Sequence, residues 1–304
     1  MLRYLSRRLL FIALAGVAII FLVHLGMSML DNSEIQTPTY ELLTPGHRAW
    51  ESTRSFIWNA LQGDLGTLHT QYASTPVGQI LRESYTNSAG LLAVTLAAAS
   101  LLGLTLGTIA ALSERQRVVL PILAFTLVGI SAPSFFAALL LRQGNQIYLD
   151  TFGRHLVVMG GFGWDYRHLL LPALVLGARP LAYLTRASYL ALNRVMESDY
   201  IRTAWAKGLS QVRTVNFHAL PNVAVPVLTA VGVSLRFSLS TLPVVEFFFN
   251  WPGIGLRLLQ AISNGETTVA VALAAALGLS FLLLNLFLDI LFWLIDPRIR
   301  ERTA

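Results

Sequence analysis

The sequence predicts an all-α, polytopic membrane protein of about six transmembrane helices, and three observations carry that expectation. Of the 304 residues, 55% are hydrophobic and only 12% are charged, the balance of a chain whose main solvent is lipid. Apolar runs recur that are long enough to cross a hydrocarbon core of ~30 Å, which takes about 20 helical residues. Cationic residues gather at the ends of those runs and favour one side.

Taken in order, uncharged runs cover Leu9 to Leu30, Ser84 to Ser113, Val118 to Leu141 and Thr267 to Leu288. Two more runs hold arginine: His168 to Leu190 contains Arg179 at mid-run and Arg186 near its inner end, and Val223 to Val245 contains Arg236. The first run follows Arg3, Arg7 and Arg8 as a signal peptide would. It is longer than an h-region, however, and ends in Met29-Leu30-Asp31 without an Ala-x-Ala site, so a retained helix is expected.

With the N-terminus inside, 13 of the 22 cations fall in cytoplasmic segments, seven fall outside, and Arg179 and Arg236 lie within spans. The positive-inside bias therefore predicts cytoplasmic termini at both ends. The organisation expected is a helix over 1–30, an extracytoplasmic loop over 31–83 and a membrane core over 84–304. The loop mixes Pro38, Pro45, Gly46, Gly63, Gly66 and Pro76 with aromatics, as a small packed cap would.

Several chemistries are excluded by residue type. With no cysteine there is no disulfide, thiolate metal site or cysteine nucleophile. The net charge of +6 is scattered over span ends rather than gathered into a stripe, which argues for membrane topology and against nucleic acid. His24, His47, His69, His155, His168 and His218 show no ligand spacing, so no metal is expected, and the elements of an intramembrane protease are missing. A P-loop needs a lysine after its second glycine and a hydroxyl residue next; Lys207, the sole lysine, is followed by Gly208. Any ATP must be hydrolysed by another polypeptide.

Between the fourth and fifth spans, within 196–221, the chain reads as helix, elbow, helix. Ser198 or Asp199 can cap the first helix, Gly208 suits a left-handed turn, Ser210 can cap the second helix and Pro221 limits it. Taken alone, this segment is equally an amphipathic surface helix. Its residues nevertheless resemble the signature of ABC-importer permeases: Glu-Ala-Ala, three residues, Gly, nine residues, Ile-x-Leu-Pro. With Gly208 on the signature glycine, Leu220-Pro221 fall on Leu-Pro without a gap, Arg202-Thr203-Ala204 on Glu-Ala-Ala and His218 on Ile. Tyr200 through Leu209 resembles the form used by the peptide/nickel branch, dipeptide and oligopeptide permeases included.

Ser131-Ala132-Pro133-Ser134-Phe135-Phe136, Glu246 with Trp251-Pro252-Gly253-Ile254-Gly255, and Asn285, Asp289 and Asp296-Pro297-Arg298 are similar to that branch in the same order. Trp251-Pro252-Gly253 also reads simply as a turn at the mouth of a span. The branch's Pro-Gly-Asp-Pro after the first span is replaced by Leu30-Asp31-Asn32-Ser33.

The resemblance implies a type I ABC-importer permease fold in a prokaryotic inner membrane. Its partners would be a second permease, two ATP-binding cassette subunits that bind ATP and Mg, and an extracytoplasmic substrate-binding protein. Arg202, Thr203, Ala204, Lys207, Gly208, Leu209, Leu220 and Pro221 would couple to the ATPases. A secondary transporter without ATPase partners is the alternative; it would carry ionisable relays and repeated halves.

Counting 1.5 Å per residue places Arg179 roughly 16 Å and Arg236 roughly 15 Å below the outer ends of their spans, and Asp289 roughly 33 Å below its own. Glu246 falls at the outer edge, as a gate element or a structural pair. On that count neither carboxylate matches the arginines in depth. Both arginines are expected to face the translocation path or a partner permease, since mid-membrane charge normally points to protein or water. Pairing with a carboxylate or carbonyl, and attraction of a solute carboxylate, both remain open. Asp289 is expected to serve as a cap or in an ion pair rather than as a proton relay.

Overall fold

The computed structural model describes residues 2–31, 43–69, 74–153, 157–158 and 162–295. The Asp296-Pro297-Arg298 resemblance, Arg154, His155, Pro38, Asn32-Ser33 and the C-terminal arginines lie outside the described residues. The described chain is helical apart from one hairpin. Five helices are long and apolar enough to cross a membrane, and a sixth crossing is obtained by counting one bent pair as a single span.

By internal contacts the chain divides into two units, 1–89 with 250–286, and 90–249 with 287–304. In the first unit, α1 (Leu2–Asp31) is joined by α2 (Leu43–Leu61) and a hairpin of β1 (Thr67–His69) and β2 (Ser74–Pro76), paired Leu68 to Thr75. α2 is amphipathic: Ala49 and Thr53 are buried, while Trp50 and Trp58 on other faces are exposed. Its buried side meets α1 at His24, whose Nδ1 lies 3.0 Å from the Ile20 carbonyl oxygen and 3.3 Å from Thr53 Oγ1.

The core of this unit is apolar. Val269, Ala270 and Leu273 of α11 (Thr267–Ile295) pack there with Val77 and Ile80 of α3 (Val77–Leu112) and Ile254 of α10 (Ile254–Ser263). The turn at Trp251-Pro252-Gly253 is pinned to α3. Trp251 Nε1 donates to the Asn87 carbonyl at 3.1 Å, Asn87 Nδ2 donates to the Pro252 carbonyl at 2.9 Å, and the Ile254 N–H donates to Ser88 Oγ at 2.8 Å.

The second unit holds the rest of α3, then α4 (Gln116–Ser131), α5 (Ser134–Phe152), α6 (Tyr166–Met196), α7 (Asp199–Ala206), α8 (Gln211–Thr214), one π-helical turn (Val215–Ala219), α9 (Leu220–Phe249) and the end of α11. Close approach of α3 to α6 uses Gly103 and Gly107: a Cβ on Gly107 would sit 2.5 Å from the Thr185 carbonyl oxygen. Small residues four apart allow such contact where lipid supplies no hydrophobic drive between helices.

The third span, expected to be continuous from Val118 to Leu141, is instead broken. α4 and α5 meet at 106°. Pro133 is the cause: it disfavours helical backbone in the residue before it, and Ala132 is extended at ψ 123°, with its N–H still bonded to the Val128 carbonyl. The fourth span, by contrast, continues through the buried Pro172 and Pro180 to Met196.

Candidate coupling elbow and membrane-embedded charges

α7 exists because Ile201 and Ala204, three residues apart, share one helix face. Ile201 is fully buried with Leu192, Ala219 and Val223, which ties the helix to α6 and α9. The opposite face is open: Arg202, Thr203, Trp205 and Lys207 are exposed. Arg202 Nη1 lies 3.6 Å from Asp199 Oδ1, and both are so exposed that the pair adds little stability.

The helix ends in a paired hydrogen-bond cap. Gly208 N–H donates to the Trp205 carbonyl at 2.8 Å and Leu209 N–H to the Ala204 carbonyl at 3.2 Å, the Schellman pattern. Gly208 takes φ +79°, and a Cβ placed there would meet nothing within 4 Å. The glycine is needed for its backbone conformation, not for space.

Two expectations about this segment are corrected. Ser198 and Ser210 occupy the cap positions, yet neither side chain makes the capping bond; the Ser198 hydroxyl donates backwards to the Val195 carbonyl. Nor does the second helix stop at Pro221. Helical backbone runs from Gln211 to Phe249 through a π turn, in which the Leu220 N–H reaches back to the Val215 carbonyl. The wider turn accommodates the ring and missing N–H of Pro221, which would otherwise break the ladder.

The elbow therefore joins α7 to the start of a long helix. Around it Val212 and Phe217 are each 71% exposed, with Tyr200 and Leu220 also open. Exposed large apolar side chains interleaved with Arg202, Lys207 and Arg213 form a surface suited to docking another protein.

Asp289 does not lie at a different level from Arg236. Arg236 Nη2 donates to Asp289 Oδ1 at 3.1 Å, so the depth count, which assumed that α9 and α11 begin level, is overturned. Asp289 is thus in the ion pair expected as one of its two roles. Glu246 is completely buried on α9, beside buried Leu242, Val245 and Phe249. Arg179 is exposed; its Nη2 donates to the Ile130 carbonyl at 3.4 Å, and its guanidinium carbon lies 5.7 Å from the Phe237 ring centre.

Asn87 and Ser88, which pin the Trp251 turn, were not singled out from sequence. Their signal is the polar stretch Ser84-Tyr85-Thr86-Asn87-Ser88 that opens an otherwise apolar run. Among the described residues no group of three or more His, Cys, Asp or Glu could hold a metal ion.

Long apolar helices joined through an exposed elbow define a polytopic membrane protein of the kind that forms the membrane-spanning part of a transporter. The chain belongs to the family of binding-protein-dependent transport system inner membrane components, whose pattern matches residues 103–301. It is 35% identical over 271 residues to a dipeptide transport system permease protein of Haemophilus influenzae, covering 81% of this chain and 80% of that protein. It is 32% identical over 256 residues to a glutathione transport system permease protein of Escherichia coli O6:H1, covering 84% and 80%. A dipeptide transport system permease protein of Escherichia coli K12 is 29% identical over 280 residues, covering 83% and 81%. The chain is thus a multi-pass permease component of an ABC importer, and the secondary-transporter alternative falls away.

Proposed function

We propose that this permease imports peptides or closely related small solutes, as one of two permease subunits that enclose the path. Two ATP-binding cassette subunits bind ATP and Mg, and their closure moves the elbow at Lys207-Gly208-Leu209. A binding protein outside the membrane delivers the solute. The observation that carries this reading is the elbow itself: a capped left-handed turn that leads through continuous helical backbone into α9 and is surrounded by exposed apolar and basic side chains. Within the same reading Arg236 and Glu246, held inside their unit, serve as gate elements, and Arg179 faces the path.

Copurification tests the assembly. Tagged chain solubilised in mild detergent should bring down two kinds of polypeptide, an ATP-hydrolysing subunit and a second permease or second copy, and the eluate should hydrolyse ATP faster when the binding protein and a dipeptide are added. Recovery of the chain alone, under conditions that preserve a control ABC complex, would reject the assembly.

Topology is proposed on the same footing. The membrane is a prokaryotic inner membrane, both termini are cytoplasmic, and 31–83 faces outward, because the cationic segments stay inside. A reporter after Ala304 or within Ser113 to Arg117 should report cytoplasm, and one within 31–83 the exterior. Reversed labelling at either place would show a misassigned crossing.

A further inference from the structure

The geometry points to Arg179 as the residue that holds the free carboxylate of a solute in transit; Arg236 is excluded from that role by its pairing with Asp289. The inference rests on the peptide-import reading above and assigns one contact within it.

The two mid-helix arginines look alike in sequence and differ in structure. Arg236 meets a carboxylate at 3.1 Å, so a solute anion would have to displace Asp289. Arg179 has no carboxylate within ion-pair distance among the described residues. A guanidinium has five N–H donors in one plane. Only one of those on Arg179 finds an acceptor among the described residues, the Ile130 carbonyl, at a long 3.4 Å. The Phe237 ring at 5.7 Å holds the cation by its face without using any donor. What remains is a charged fork whose other donors meet no acceptor among the described residues, the arrangement that binds carboxylate in two parallel hydrogen bonds.

Space beside it fits a carboxylate. Arg179 lines a cavity of about 40 Å³ with Ser134, Thr241, Ala132, Gly129 and Phe237. One water needs roughly 10–15 Å³ on this measure, so the room is that of a carboxylate and no more. Ser134 and Thr241 line the same cavity, and the Thr241 hydroxyl donates to the Phe237 carbonyl at 2.9 Å. Residues on both sides of the α4–α5 break line the cavity, so the break at Pro133 is what gives Arg179 a recess in place of a packed helix flank.

The test uses the complete transporter in proteoliposomes with saturating binding protein, and measures ATP-driven uptake of a radiolabelled dipeptide and of its C-terminal amide. Each variant is compared with the wild type for each solute separately, which cancels any preference of the binding protein. Arg179→Gln should lower the maximal dipeptide rate about tenfold, the loss of one charge-assisted contact. It should lower amide uptake much less and leave binding-protein-stimulated ATPase activity intact. Arg179→Lys, which keeps the charge, should retain most dipeptide uptake. Wild-type dipeptide rates in Arg179→Gln, equal deficits in the Gln and Lys variants, or equal deficits for dipeptide and amide would each overturn the assignment. A wild-type complex that hydrolyses ATP yet moves no dipeptide would overturn the peptide reading itself.

Discussion

Gly208→Val is expected to reduce solute uptake to a few per cent of wild type while the protein still inserts and assembles. The φ of +79° at this position lies in the left-handed region, where a β-branched side chain costs about 1–3 kcal/mol. Nothing lies within 4 Å of the Cβ position, so the penalty falls on the turn alone and not on packing. The turn relaxes by losing the paired bonds from Gly208 and Leu209 to Trp205 and Ala204, which swings Lys207 and Leu209 away from their present line. Gly208→Asn, which tolerates the left-handed region better, should retain more uptake than Gly208→Ala, and both more than Val. Uptake and ATPase activity measured side by side decide the matter. Unimpaired uptake in Gly208→Val would remove the elbow from the coupling mechanism.

The second large effect is expected at Arg236 and Asp289. Removing either partner strands the other charge in a partly buried site, and loss of one member of a buried pair costs about 3 kcal/mol or more. The side chains keep 33% and 24% exposure, which places this pair at the low end of that range. Arg236→Gln and Asp289→Asn should therefore each lower the thermal midpoint of the purified complex and its yield, and the Gln/Asn double variant should recover much of both, because no uncompensated charge remains. Exchange of the two residues should recover less, since Nε of Arg236 is already buried without a hydrogen-bond partner among the described residues and the geometry is tight. A double-mutant cycle gives the coupling energy directly. Additive losses would show that the 3.1 Å contact contributes nothing to stability.

The two sites differ in how far they could be read from the residues. At the elbow everything needed was local. A helix face defined by Ile201 and Ala204, a glycine after the helix and a serine before the next are signals within a dozen residues, and the structure places the turn where they put it. The hydroxyls of Ser198 and Ser210 were misjudged because a cap position does not dictate where its side chain donates; Ser198 had a nearer acceptor in the preceding helix. Pro221 was read as a stop because a regular helix cannot hold it, and the π turn before it is a solution that no residue in the segment announces.

The membrane-embedded charges show the opposite case. Arg236 and Asp289 are 53 residues apart, and their contact depends on where two long helices start relative to each other. Residue counting gives rise along an axis but no common origin, so it separated two groups that touch. The pinning of Trp251 by Asn87 and Ser88 spans more than 160 residues and was hidden for the same reason. The break at Ala132-Pro133 lay in plain view as a proline within a span. Pro172 and Pro180 were equally visible, yet there the helix continues.

By itself, then, the sequence determined the solvent of this protein, the number and kind of its membrane crossings to within one bent pair, and the left-handed turn at Gly208. Each of these follows from composition, from the ~20-residue length a bilayer imposes, or from a short motif whose physics is complete within itself. Only the tertiary structure decided which proline breaks a helix, which of Arg179 and Arg236 meets a carboxylate among the described residues, and that Glu246 is wholly buried. Those outcomes turn on what surrounds a residue from distant parts of the chain: whether neighbouring helices cover a freed carbonyl, supply a carboxylate at the same level, or leave a recess beside a guanidinium.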